Sequence, residues 1–400
     1  MQSKILTAFA LSLFFLSSAM AGDISFNGFA SVVMGIDIED DGEDAGLDES
    51  PYSERTVDNL QESKVALQWT ANVDKGVRFV GQTMARGNAS GGYDMNYDWA
   101  YFDFNVGDSG KFKVGRLRIP FYKYSDYLDV GYAYHWITPP ESMYSLSFSN
   151  MDGIGYQQNF ENGGLEHSIN LVLGSYQGDL PQGTEIVESK LENLFAVNWS
   201  AALGDHEFYA AYAQADVYIP STGLAGASAY AADGGDVILN GDYGHFVGVG
   251  YKGTFGDVAA YAEYSMVGIE DSLSPDSAGG YIGASYNMED YTFHMTYGFS
   301  KSDSKSVDAT TNATTDLNGD GNVDAIDTAI AQPTLDAISE SLGEGDDSTI
   351  TIGVRKDVGT STALKLEVSM YTEDKIQTVG DASKSEKEYT TLKFAIETMF

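Results

Sequence analysis

The sequence predicts an all-β fold, a transmembrane antiparallel β-barrel of about 16 strands. Three observations carry this reading. Segment after segment alternates apolar and polar side chains with the two-residue period of a strand. The connections alternate between short turns and excursions, most of them long. Past the N-terminus, no apolar run approaches the roughly 18 residues a membrane helix needs, so a membrane-spanning chain must cross with strands.

At the N-terminus, Lys4 precedes an apolar run over 5–16 and the small-residue pattern Ala19-Met20-Ala21. This is the pattern of a signal peptide over 1–21, leaving a barrel over 22–400. Its removal takes away one lysine, so the formal charge moves from -37 to about -38. An acidic balance of that size argues against nucleic acid as a partner, since phosphate binding needs clustered Lys and Arg. With no cysteine, disulfides, thiol catalysis and Cys-ligated metals are excluded. The 26 Tyr and 20 Phe beside only 8 Pro favour sheets with aromatic girdles.

In chain order the strands are expected at 24–36, 62–73, 77–87, 94–106, 111–119, 147–159, 165–175, 191–202, 207–218, 244–254, 257–268, 278–288, 291–301, 348–356, 362–372 and 388–400. Short turns such as Asp74-Lys75-Gly76 and Leu203-Gly204-Asp205-His206 fall on one side of the membrane. The excursions 37–61, 88–93, 120–146, 176–190, 219–243, 269–277, 302–347 and 373–387 fall on the other. In the second strand Val65, Leu67, Trp69, Ala71 and Val73 form a lipid face, leaving Lys64, Gln68, Thr70 and Asn72 for the lumen. The third repeats this, with Val77 and Phe79 outward and Arg78, Gln82 and Arg86 inward. In the last strand Leu392, Phe394, Ile396 and Phe400 share one face, while Lys393 and Glu397 share the other.

The excursion over 120–146 differs from the rest. It is dense in Tyr, Phe and Trp, from Phe121, Tyr122 and Tyr124 to Tyr134 and Trp136. So aromatic a segment is expected to pack against something, and the lumen is the nearest surface. With its strand number, its aromatic terminus and this third loop, the chain resembles the general porins of Gram-negative outer membranes. That resemblance implies a third loop folded into the lumen, a homotrimer in the cell outer membrane, and passive diffusion of small hydrophilic solutes and ions. It also implies loop carboxylates facing a basic cluster on the wall. Of the chain's six Arg, four lie between 78 and 118. Arg78 and Arg86 point inward by parity; Arg116 and Arg118 do so if Gly115, Leu117 and Ile119 face lipid, a parity that turns Lys111 and Lys113 outward. Asp126, Asp129 and Glu141 are then the opposing carboxylates, setting a transverse field across the constriction. The alternative is that the arginines pair with wall carboxylates and simply hold the wall.

The excursion over 302–347 carries Asp316-Leu317-Asn318-Gly319-Asp320-Gly321-Asn322-Val323-Asp324-Ala325-Ile326-Asp327. Oxygen ligands at positions 1, 3, 5, 9 and 12, a backbone carbonyl from Asn322 at 7, and Gly at 6 are the register of an EF-hand-type Ca²⁺ loop. Asp in place of Glu at position 12 resembles the calcium loops of dockerin modules. A weaker echo runs from Asp37 to Asp48. None of the five His lies in a catalytic motif; His167 and Ser168, adjacent on a strand, point to opposite faces. An enzyme is therefore not expected. Two further readings stay open: a substrate-selective channel with the aromatic loop as a stacking surface, and a surface adhesion or structural barrel using the calcium loop.

Overall fold

The computed structural model describes residues 23–40, 52, 56–88, 91–146, 148–182, 185–219, 239–270, 272, 274–305, 333, 345–378 and 381–400. The signal-peptide segment and the calcium-loop residues 316–327 lie outside the described residues.

The strands are β1 (Ile24–Asp40), β2 (Lys64–Asp74), β3 (Val77–Gly87), β4 (Tyr93–Val106), β5 (Gly110–Arg118), β6 (Asn150–Asn162), β7 (Leu165–Gln182) and β8 (Glu185–Leu203). They continue as β9 (His206–Ile219), β10 (Leu239–Phe255), β11 (Val258–Ile269), β12 (Asp276–Met288), β13 (Tyr291–Asp303), β14 (Gly345–Val358), β15 (Thr362–Thr378) and β16 (Asp381–Met399). Each pairs antiparallel with its sequence neighbours, and β1 closes the barrel on β16 from Phe29↔Met399 to Asp40↔Tyr389. Closure leaves no open edge to satisfy in lipid. The terminal Phe400 extends the seam, exchanging backbone hydrogen bonds with Gly28 at 2.7 and 2.9 Å.

All sixteen expected strands are present, but several run higher. The expected excursions over 176–190 and 373–387 are instead mostly hairpin: β7 and β8 pair up to Gln182↔Glu185, and β15 and β16 up to Thr378↔Asp381. Alternation reports a strand only where one face is held apolar, and these hairpin tips lack it. The short turns are as read, with Gly204 at φ 57° and Gly256 at φ 67° supplying left-handed backbone.

The faces follow the alternation through most of the wall. Val65, Leu67, Val73, Ile352, Leu366 and Ile396 are exposed on the outer surface. Lys365, Glu367, Lys393 and Glu397 are buried inside. Along β5 from Lys111 to Leu117 the expected parity is reversed, while Arg118 at the strand's end faces the lumen as expected. Val114 faces outward opposite exposed Phe102, so Lys111, Lys113 and Leu117 face the lumen and Arg116 faces out. The Gly115 backbone, at φ 136°, accommodates this register beside β4.

Candidate functional site

Between β5 and β6 the chain turns into the barrel and crosses it. Its first part packs on the wall of β8 to β12. Phe121 lies 5.1 Å from Phe246 ring to ring, Tyr209 Oη donates to Pro120 O at 2.9 Å, and the Lys123 amide donates to Glu263 at 3.1 Å. Two single turns of 3₁₀ helix, Ser125–Tyr127 and Gly131–Ala133, carry it across the lumen. The returning limb is fixed to the far wall. Trp136 Nε1 donates to Thr296 at 2.9 Å, the Ile137 amide to Glu367 at 2.8 Å, and Ser142 to Gly280 O at 3.2 Å.

The aromatic residues that set this loop apart are spent on packing. Tyr122, Tyr124, Tyr134 and Trp136 are all buried, in one cluster with Tyr209, Tyr261 and Tyr281 from the wall. Tyr122 and Tyr144 are 4.7 Å apart and Tyr124 and Trp136 5.8 Å apart, separations at which each pair adds about 0.5–1.5 kcal/mol beyond area burial. These rings present no broad stacking face to a passing solute.

Charge completes the docking. Asp129 receives three cations at once: Arg118 at 2.7 Å, Arg86 at 3.0 Å and Lys64 at 3.4 Å. Burial alone would raise its carboxyl, but Lys64, Arg118 and Arg86 outweigh that and hold it far below the usual carboxylate range. On the far wall Lys365 Nζ pairs with Glu397 at 2.5 Å and donates to the carbonyls of Gly131 and Trp136. Arg355 donates to the Tyr132 and Tyr134 carbonyls at 2.6 and 2.8 Å. Glu62, beside β2, accepts from Thr138 at 2.6 Å and from Lys393 at 3.0 Å. Sequence parity placed Lys393 and Glu397 on the wet face, but nothing in the sequence signals that the loop's backbone would be their partner.

The expected constriction residues are only partly brought together. Arg86 and Arg118 do face the loop and share Asp129. Arg78 is on the wall and pairs with Asp103 of β4, with Lys111 4.0 Å from the same carboxylate. Arg116 is not in the pore: it lies on the outer surface, bidentate with exposed Asp152 at 3.1 and 3.3 Å. Glu141 is far from the arginines, on the returning limb beside Tyr371 and Lys393. Asp126 is exposed on the loop, within electrostatic reach of Lys113. Asp126 thus stands within reach of Tyr101 and Lys113, with Arg78 and Lys111 beside them on the wall. The four arginines thus divide: Arg78 pairs on the wall, Arg86 with both Asp98 of the wall and Asp129 of the loop, Arg118 with Asp129, and Arg116 on the outer surface. Among the wall cations beside Asp126, Arg78 and Lys111 are partly exposed, and Lys113 lies over the Tyr101 ring at 5.6 Å.

A family model described as Gram-negative porin matches residues 7–377. Among solved structures, the chain is similar to the anion-selective porin of Comamonas acidovorans, at 14% identity and TM-score 0.57, over 94% of this chain and 99% of that one. It is similar to the outer membrane channel DcaP of Acinetobacter baumannii, at 12% identity and TM-score 0.57, over 96% and 99%. A trimer form of the Vibrio cholerae outer membrane protein OmpT aligns at 12% identity and TM-score 0.52, over 95% and 100%. No curated protein matches the chain by sequence. The chain belongs to the Gram-negative porin family. It is an outer-membrane channel whose third loop folds into the lumen.

Proposed function

We propose that the gap between Asp126 and the Arg78–Lys111–Lys113 wall is the constriction through which small hydrophilic solutes and ions diffuse. The observation that carries this is the third loop itself, fixed at both limbs, with its exposed Asp126 toward the cations of β3 and β5. Acidic surface charge concentrates cations at the mouths, and the wall lysines oppose them inside. The balance gives weak cation preference at low ionic strength, fading as salt screens the mouth. Reversal potentials in a salt gradient test this, with Lys111→Ser and Lys113→Ser together expected to strengthen cation preference. Anion selectivity in the native channel would overturn it.

We further infer a homotrimer, on the family's account, and a barrel without enzymatic activity. Ca²⁺ is proposed to bind Asp316, Asn318, Asp320, Asn322, Asp324 and Asp327, as a structural ion of an extracellular loop. Support for the ion is the sequence register alone. Calorimetry on the intact barrel checks it: a Ca²⁺ heat lost in Asp316→Ala with Asp320→Ala is expected, and no heat in the native protein would remove the claim.

A further inference from the structure

The wall of a water-filled channel is ordinarily its polar face. On the upper half of β8 to β11 this polarity is inverted. Along β9, Ala213, Ala215 and Val217 are buried inward, while Gln214 faces out and accepts from Tyr212 at 2.9 Å and Tyr243 at 3.1 Å. Leu194 of β8 and Val267 of β11 extend the inward apolar surface on either side. Part of it is covered by the third loop, through Phe121 and Phe148. The cover is incomplete, and a half-open cavity of about 100 Å³ is left between loop and wall, lined almost wholly by carbon.

Packing of the loop explains why the surface is apolar. It does not fill the cavity. A space walled by Leu, Val and Phe offers water too few partners, and an engineered apolar cavity of about 150 Å³ stays dry and takes up benzene. The volume excludes a peptide or a protein segment, and the lining excludes an ion or a bare sugar. We propose that this cavity is a binding site for one aromatic ring or a short alkyl group, carried by a solute that enters the lumen. It retains amphiphilic solutes over purely hydrophilic ones of similar size. The retention part rests on the channel reading above; the binding part does not.

Two measurements test it. Crystals of the barrel pressurised with xenon should show an atom against Leu194, Val217 and Phe246, and Ala215→Phe, whose ring fills the space, should remove it. Val217→Phe serves the same purpose should the first variant fail to fold. An empty cavity under xenon overturns the proposal. In single-channel recording, phenyl glucoside should block for longer than methyl glucoside by roughly tenfold, the factor expected from burying about 55 Å² of apolar surface. Equal dwell times with xenon bound would overturn retention. A barrel that carries no current would sink the channel reading and leave the xenon result standing.

Discussion

Asp129 is the residue on which the loop's position turns. It is one carboxylate balancing Arg118, Arg86 and Lys64, and removing it leaves three cations crowded in a buried site. Asp129→Asn should cost about 3–5 kcal/mol of loop docking, seen as larger, noisier single-channel conductance and new protease cleavage within 120–146. Unchanged conductance would show that the aromatic cluster holds the loop alone. His135 contributes one part of the pH dependence. Burial, with repulsion from His294, Lys365, Lys252 and Arg355, keeps its pKa well below the ordinary histidine value. Below pH about 6.5 the unfolded chain therefore takes a proton that the folded chain resists, so this histidine lowers stability as the pH falls. Asp129 acts lower, since its contribution is complete above pH about 4 and is lost only on further acidification. Thermal unfolding in detergent between pH 7.5 and 5 should show this slope, reduced in His135→Phe. Strand parity and the resemblance to porins point to Arg86, Arg118 and Asp129, which the structure does bring together. Parity misleads at Arg116, because on a strand containing a left-handed glycine it cannot be read from alternation alone.

At the scale of elements, the strands were the easiest part to read. Lipid imposes a strict apolar face, and closure imposes antiparallel neighbours, so alternation and turns suffice between the girdles. Above the membrane that constraint lapses, which is why alternation does not mark the tops of β7, β8, β15 and β16 as strand. The third loop was legible as a packed element from its rings. Its anchors were not, because Lys365 and Arg355 bind backbone carbonyls, which carry no sequence signature. The Lys365–Glu397 pair is fully buried under the loop's Gly131, and a Cβ at Gly131 would fall on the Glu397 carboxylate. Gly131→Ala is thus expected to lift the loop from β16 and raise conductance. Lys365→Met alone strands a buried carboxylate at about 3–5 kcal/mol, whereas Lys365→Met with Glu397→Leu should recover most of that. Equal loss in single and double variants, by thermal unfolding, would show that the carbonyl contacts of Lys365 outweigh its pairing.

At the scale of the whole molecule, the proposed path for solutes runs between the loop at Asp126 and the wall at Lys113, with Arg116 outside it. The native chain has no cysteine, so a single introduced thiol is unambiguous. The direct measurement is single-channel conductance of Asp126→Cys and Arg116→Cys before and after labelling with a bulky cationic thiol reagent. Labelling at 126 is expected to cut the current through each channel, and labelling at 116 to leave it unchanged. A current blocked from position 116, or untouched from position 126, would contradict this path.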